Sequence, residues 1–158
     1  MLSGIRVLDF SRVIAGPLCT QHLADLGAEV IKVESIEDGE VGSGSAGEAA
    51  IPGRNPLFLA FNRSKKSIVL NLKAEGGPEL ALSLALQCDV LVENFRPGVI
   101  ERLGFDYESV KQLRSDIIYC AISGYGTRGP KAKSAAFDGA VQAASGLMAS
   151  NGHAETGP

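Results

Sequence analysis

Short apolar runs recur along the chain, and each is closed by a polar or glycine-rich segment. "IRVLDF" (residues 5–10) is followed by "SRVIAGP", "AEVIKVE" (28–34) by "SIEDGE", and "SIVLNL" (67–72) by a lysine and an acidic turn. "DVLVEN" (89–94) leads into "FRPG", and "DIIYCAIS" (116–123) into "GYGTRGP". Runs this apolar and this short read as strands buried on both faces. The segments between them carry helical signals. A helix is predicted over 17–26, with Pro17 in its first turn, where its missing N–H would be unpaired anyway, and Gly27 as its stop. "EGGPELALSLALQC" predicts a second helix, with Leu80, Leu84 and Cys88 on one face. Two short helices are expected in "PGVIERLG" and "DYESVKQLR", and a last one over 138–149. Strands alternating with helices predict an α/β fold: a Rossmann-like parallel sheet with helices on both faces. Residues 35–55, rich in Gly, Ser, Ala and Glu, read as a long loop.

In such sheets ligands bind beyond the carboxyl ends of the strands. The distinctive connections of this chain all fall at that edge. The one after the first strand has no G-x-G-x-x-G and no Lys-Ser/Thr pair, so neither a dinucleotide nor an ATP loop is indicated. A helix starting at Gly16-Pro17 instead offers unpaired N–H groups to an anion, or to an oxygen that becomes one during reaction. Gly16 would let a ligand approach the backbone closely. Arg63, Lys65, Lys66, Lys73, Arg96 and Arg102 are expected toward the same edge, which suggests a phosphorylated ligand. For Arg63, Lys65 and Lys66 a solvated charged face is an equal alternative.

Composition narrows the partners. The chain has 158 residues, 45% hydrophobic and 21% charged, with a net charge of −3, which gives no general field for nucleic acid. No apolar run is long enough to span a bilayer, and "MLSGIRVLDF" does not read as a signal peptide. Cys19, Cys88 and Cys120 form no C-x-x-C pair and read as reduced core thiols, hence a cytoplasmic protein. With only His22 and His153 available, no metal site is expected.

"GIRVLDFSRVIAGPLCTQHLADLGAEVIKVE", "NRSKKSIVLNLK", "DVLVENFRPGVIERLGFDYESV" and "IIYCAISGYGTRGP" resemble, in order and spacing, the class III CoA-transferases, the CaiB/BaiF family. That family includes formyl-CoA transferase and α-methylacyl-CoA racemase. The resemblance implies coenzyme A or an acyl-CoA as ligand and a carboxylic acid as acceptor. It implies that Ile14, Ala15 and Gly16 lie near the thioester, and that Leu70, Asn71, Leu72 and Lys73 line the adenine and phosphate region. It further implies that Asn94, Phe95 and Arg96 contact CoA, that Arg102 reaches a phosphate, and that Ala135, Phe137 and Asp138 approach the pantetheine arm. Departures are visible: Ser35 stands where some transferases carry Arg, Ile14 where some carry Gln, and residues 35–55 lack G-D-x-x-R.

The implied chemistry is covalent. An Asp attacks the thioester, and CoA then passes through an aspartyl thioester to the acceptor. By resemblance that Asp lies just past Pro158, so no nucleophile is expected within residues 1–158. Asp138 is left as a supporting carboxylate or a helix N-cap. The resemblance makes the chain the N-terminal part of an incomplete CoA-binding large domain, without the small domain and return segment, from a family of interlocked homodimers. Alone it is expected to be inactive in transfer. Two alternatives stand beside this: a racemase, against which Phe137 occupies the position of a basic His, and a CoA-binding module without catalysis.

Overall fold

A computed structural model describes residues 1–35 and 56–152. Most of the expected loop over 35–55, and His153, lie outside the described residues. Two compact units are present, Met1–Ile122 and Ser123–Pro158.

The first unit is a sheet of five strands in the order β3-β2-β1-β4-β5: β1 Arg6–Asp9, β2 Glu29–Glu34, β3 Lys66–Val69, β4 Val90–Glu93 and β5 Ile118–Ala121. Every neighbouring pair is parallel. Helices are α1 Ala15–Asp25, α2 Pro56–Phe61, α3 Gly77–Ala85, α4 Val99–Arg102 and α5 Tyr107–Leu113. The expected α/β architecture is therefore present. The third strand is shorter than read, so Leu70, Asn71 and Leu72 belong to the connection that follows it. Helix α2 was not anticipated: "PLFLAF" is apolar throughout and shows no helical alternation.

Alternation along the strands divides the core into two layers. Val7, Val30 and Val92 pack with Ala24 and Ala28 on the face that carries α1. Leu8, Phe10, Val33 and Leu91 pack with Ala81, Ala85, Ile100, Phe105 and Val110 on the other. The rings of Phe10 and Phe105 lie 5.1 Å apart at the centre of that second layer. The buried face of α3 differs in part from the sequence reading. Ala81 and Ala85 meet the core together with Cys88 and a half-buried Leu84, as expected of the last two, while Leu80 is exposed. The small residues let the helix lie close to the sheet and turn the bulky Leu80 outward. Cys88 alone of the three thiols is a core residue; Cys19 and Cys120 are half-buried, and all three are free.

Helix α1 ends as the sequence predicts. Gly27 adopts φ 102°, its N–H reaches the Ala24 carbonyl (2.9 Å), and the Ala28 N–H reaches Leu23 (3.0 Å). This double bond pattern closes a helix and favours glycine. Asp106 caps α5, accepting from the Ser109 N–H (3.2 Å) and hydroxyl (2.6 Å).

In the second unit the predicted single helix over 138–149 is two: α6 Asp138–Ser145 and α7 Leu147–Ser150, broken where Gly146 takes φ 82°. Ala136 packs against Gly124, where a Cβ would lie 2.0 Å from the alanine methyl. No helix among the described residues is long and apolar enough to cross a membrane.

Candidate active site at the β1–β4 crevice

The chain runs outward from β1 through β2 to β3, then returns to place β4 and β5 on the other side of β1. The strand order therefore reverses between β1 and β4. Such a switch point opens a crevice at the carboxyl ends of the strands, where ligands of open α/β sheets bind. "SRVIAGP" leaves β1 and "NFRPG" leaves β4 at this crevice. Two of the segments singled out in the sequence thus meet there.

They meet through hydrogen bonds. The Asn94 Oδ1 accepts from the Arg12 N–H (2.7 Å), and its Nδ2 donates to the Arg12 carbonyl (2.8 Å). The Arg12 guanidinium stands 5.2 Å from the centre of the Phe95 ring. Helix α1 then begins with Ile14 at its N-cap and no side chain capping it. Its first internal bond runs from the Leu18 N–H to the Ile14 carbonyl (2.8 Å). Pro17 has no N–H, so Ala15 and Gly16 carry the free donors of the first helical turn. The helix starts earlier than the Gly16-Pro17 junction expected from sequence. Gly16 has a packing reason of its own: a Cβ there would lie 2.2 Å from the Ser11 Cβ and 2.6 Å from its Oγ.

Beneath this turn lies a buried ionic cluster that sequence reasoning did not identify as a unit. Asp9, the last residue of β1, is 0% exposed. Its Oδ1 accepts from the Ser11 N–H (2.9 Å) and from the Ser11 hydroxyl. Its Oδ2 accepts from the Thr20 hydroxyl (2.6 Å) and the Lys65 ammonium (3.1 Å). Lys65 also donates to the Pro17 carbonyl (2.8 Å) and to Asn62 Oδ1 (2.8 Å). Lys32 is the register partner of Asp9 on β2 and donates to the Ser11 carbonyl (2.7 Å). Burial pulls the Lys65 ammonium below the ordinary lysine range, and the Asp9 charge opposes that pull. The cluster ties the end of β1, the first turns of α1 and the entry to β3 into one support. A signal for it was present: a charge set between apolar neighbours in each of "VLDF" and "VIKV".

The expected cluster of cations at the carboxyl edge is not a cluster. Lys65 is buried against Asp9. Arg63 pairs with Asp25 at the end of α1 (2.6 Å), and Lys66 pairs with Glu29 at the start of β2, so both turn toward the opposite edge. The carboxylates there attract them. Lys73, Arg96 and Arg102 remain exposed, in or just after the connections that leave β3 and β4. Lys73 is placed by its own N–H on Asn71 Oδ1 (3.0 Å). Leu70 is buried in the core, while Leu72 is half-buried beside it. Phe137 and Asp138 open α6 in the second unit. Phe137 takes the N-cap position and is 71% exposed. Asp138 is therefore not the cap expected of it: it is the first helical residue and accepts from the Gln142 amide. Ala135, also exposed, precedes them.

A concavity of about 440 Å³ lies at the amino edge of the sheet, lined by Gly4, Arg6, Gly27, Glu29, Gln87, Asp89 and Arg114. Its charges already satisfy one another: Arg6 with Glu29 (2.9 Å), and Arg114 with Asp89 (2.7 Å) and Asp116 (3.1 Å). It offers a ligand no spare charge, so the crevice remains the candidate.

At the crevice, Glu93 ends β4 only 6% exposed and accepts from the Phe95 N–H (2.9 Å). Burial holds its carboxyl above the usual range, against the pull of that N–H. A raised carboxyl binds protons in the native state that the unfolded state has lost, so its contribution to stability falls as pH rises through the window above its ordinary pKa. Glu93→Gln mimics the protonated form. The variant should unfold at higher urea than wild type at pH 7, with the gap closing as pH is lowered toward 4.5. Equal urea midpoints at pH 7 would contradict a buried, ionised Glu93.

The sequence model of CoA-transferase family III matches residues 2–158. The chain belongs to this family. It is 45% identical over 147 residues to succinyl-CoA:glutarate CoA-transferase of Mus musculus, covering 93% of this chain and 34% of that one. It is 40% identical over 152 residues to formyl-CoA:oxalate CoA-transferase of Bradyrhizobium diazoefficiens, covering 96% of this chain and 35% of that one. The crystal structure of a CAIB/BAIF family protein from Brucella suis superposes with a TM-score of 0.91 at 38% identity, covering 99% of this chain and 42% of that one. This family member thus spans about a third to two-fifths of the length of the relatives it matches.

Proposed function

We propose that this chain forms the CoA-binding part of a CoA-transferase, which moves CoA from an acyl-CoA to a carboxylic acid. The observation that carries the reading is the meeting of the β1 and β4 connections at the switch point, with the uncapped start of α1 beside them. The Ala15 and Gly16 amides are suited to an oxygen that gains charge when a thioester carbonyl is attacked. Ile14 lines the same turn. Phe95 gives the crevice an apolar wall, and Arg96 stands at its mouth. Lys73 and Arg102 reach the phosphates, with Leu70 to Leu72 forming the backbone that presents Lys73. The aspartyl nucleophile of the family resemblance belongs to this proposal and lies outside residues 1–158. A homodimeric enzyme and a cytoplasmic location are likewise part of it.

Titration of CoA into the chain, followed by amide chemical shifts, tests the site. Shifts are expected at Ile14 to Gly16, Leu70 to Lys73 and Asn94 to Arg96. Shifts confined to Gly4, Gly27 and Gln87 at the amino edge would overturn it.

The phosphate contacts are tested separately. Lys73→Ala and Arg102→Ala should each weaken CoA binding about three- to tenfold, less than a sheltered charge-assisted bond would give, because both side chains are exposed. Urea midpoints of both variants should match wild type. Unchanged CoA affinity in both would remove these two residues from the site.

A further inference from the structure

Val13 has φ 66° and is 81% exposed. A β-branched residue is disfavoured in this left-handed region, and an exposed one gains no core packing in return. Backbone in such a state persists only where its surroundings impose it. The imposing group is Asn94, 82 positions beyond Arg12 in sequence. Its amide oxygen takes the Arg12 N–H and its amide nitrogen donates to the Arg12 carbonyl, so the two peptide groups that flank Arg12, the second of which leads into Val13, are fixed in orientation. The Arg12 guanidinium over Phe95 anchors the same residue from its side chain. Immediately after Val13, Ile14 takes φ −124° and ψ −59° as the N-cap of α1. The direction in which Ala15 and Gly16 present their amides is therefore set by a turn that the local sequence does not favour.

We propose that Asn94 is a positioning residue: it holds the Arg12–Val13 turn in its left-handed form, and its contribution to CoA binding runs through that turn rather than through a contact of its own amide with the ligand. The role in binding rests on the CoA reading given above; the clamp on the turn does not. The juxtaposition also accounts for asparagine at this position. Aspartate offers the acceptor for the Arg12 N–H but no donor for the Arg12 carbonyl, and alanine offers neither.

The test combines Asn94→Ala with Val13→Gly in the 158-residue chain. Glycine accepts positive φ freely, so it should restore the turn once the clamp is lost. In Asn94→Ala, hydrogen exchange of the Arg12 and Leu18 amides should accelerate about tenfold, equivalent to ~1.4 kcal/mol, while the Val7 and Leu91 amides keep wild-type rates. CoA affinity should fall by a similar factor. In the double variant, Leu18 exchange and CoA affinity should both return to within about threefold of wild type, while the Arg12 amide, its acceptor removed, stays fast. Asn94→Asp, which keeps one of the two bonds, should fall between wild type and Asn94→Ala in exchange, and it decides the matter if the alanine variant does not fold.

Unchanged exchange at Leu18 in Asn94→Ala, or in Asn94→Asp where that variant must be used, overturns the clamp. Recovered exchange without recovered CoA affinity overturns the indirect role and makes Asn94 a direct ligand contact. If the wild-type chain binds no CoA, the CoA reading fails on its own, and the exchange rates still decide whether Asn94 holds the turn.

Discussion

Asp9→Ala should cost the chain a large share of its stability. The substitution removes the carboxylate from beside Lys65, whose side chain is 2% exposed, and from beside Lys32, 4.0 Å away. It also strips the Ser11 N–H and the Thr20 hydroxyl of their acceptor. Breaking a buried ion pair from one side costs about 3–5 kcal/mol, because the remaining charge is left uncompensated. Domains of this size have a total stability of roughly 5–15 kcal/mol, so the loss is a large share of it. Asn in place of Asp keeps the shape and removes the charge, and should lose most of the same stability. Pairing Asp9→Asn with Lys65→Met removes the orphaned ammonium and should recover about half of the loss. The recovery is partial because Lys32 and the Pro17 carbonyl each lose a partner. Urea denaturation of the three variants checks this. An Asp9→Asn unfolding free energy within ~1 kcal/mol of wild type would show that the cluster does not hold the fold.

Gly16→Ala has an expected effect whose sign separates two physical accounts. Helix propensity alone predicts a gain, since glycine inside a helix is less favourable than alanine by about 0.8–1.0 kcal/mol. Packing predicts the reverse. The new methyl would fall 2.2 Å from the Ser11 Cβ and 3.3 Å from the Asn94 Cγ. Ser11 cannot retreat, because it is buried and its N–H and hydroxyl are both held by Asp9. The strain must pass to the turn, so we expect a net loss of about 1–3 kcal/mol and weaker CoA binding. Ser11→Gly in the same chain removes the obstructing Cβ and should return part of the stability. A Gly16→Ala variant more stable than wild type would show that the turn is soft, and that the close approach of α1 to Ser11 is not required.

The sheet was legible because parallel strands packed under helices are mostly apolar, and short apolar runs recur along this chain at each strand. The crevice was legible for the same reason: once the strands are known, their carboxyl ends are known. The ionic support under it was not. Asp9 and Lys32 look like interruptions of apolar runs until the register sets them side by side, and Lys65 looks like a surface cation until β3 is docked. The face of α3 was legible in part: Leu84 and Cys88 pack at the core as their spacing implies, while Ala81 and Ala85 rather than Leu80 complete the buried face. Arg63 and Lys66 were assigned to the ligand edge by their place in sequence, and Asp25 and Glu29 draw them to the other. The resemblance supplied the ligand and named Asn94. That both ends of its amide are engaged by Arg12 is a fact of geometry that neither residue pattern nor family likeness contains.

The clamp on the turn also has an order in time. Residues 9–16 leave the ribosome before the groups that fix their geometry, which lie 56 and 82 positions later in the chain: Lys65 on Asp9, and Asn94 on Arg12. Until Lys65 emerges, Asp9 has no distant cation to bury against, and until β4 has formed, nothing holds Val13 at positive φ. The earliest-made segment of the crevice is thus the last to become functional, and a nascent chain stalled before Asn94 carries it unfinished. Contacts this distant in sequence form slowly, because the intervening loop must be closed before they stabilise anything.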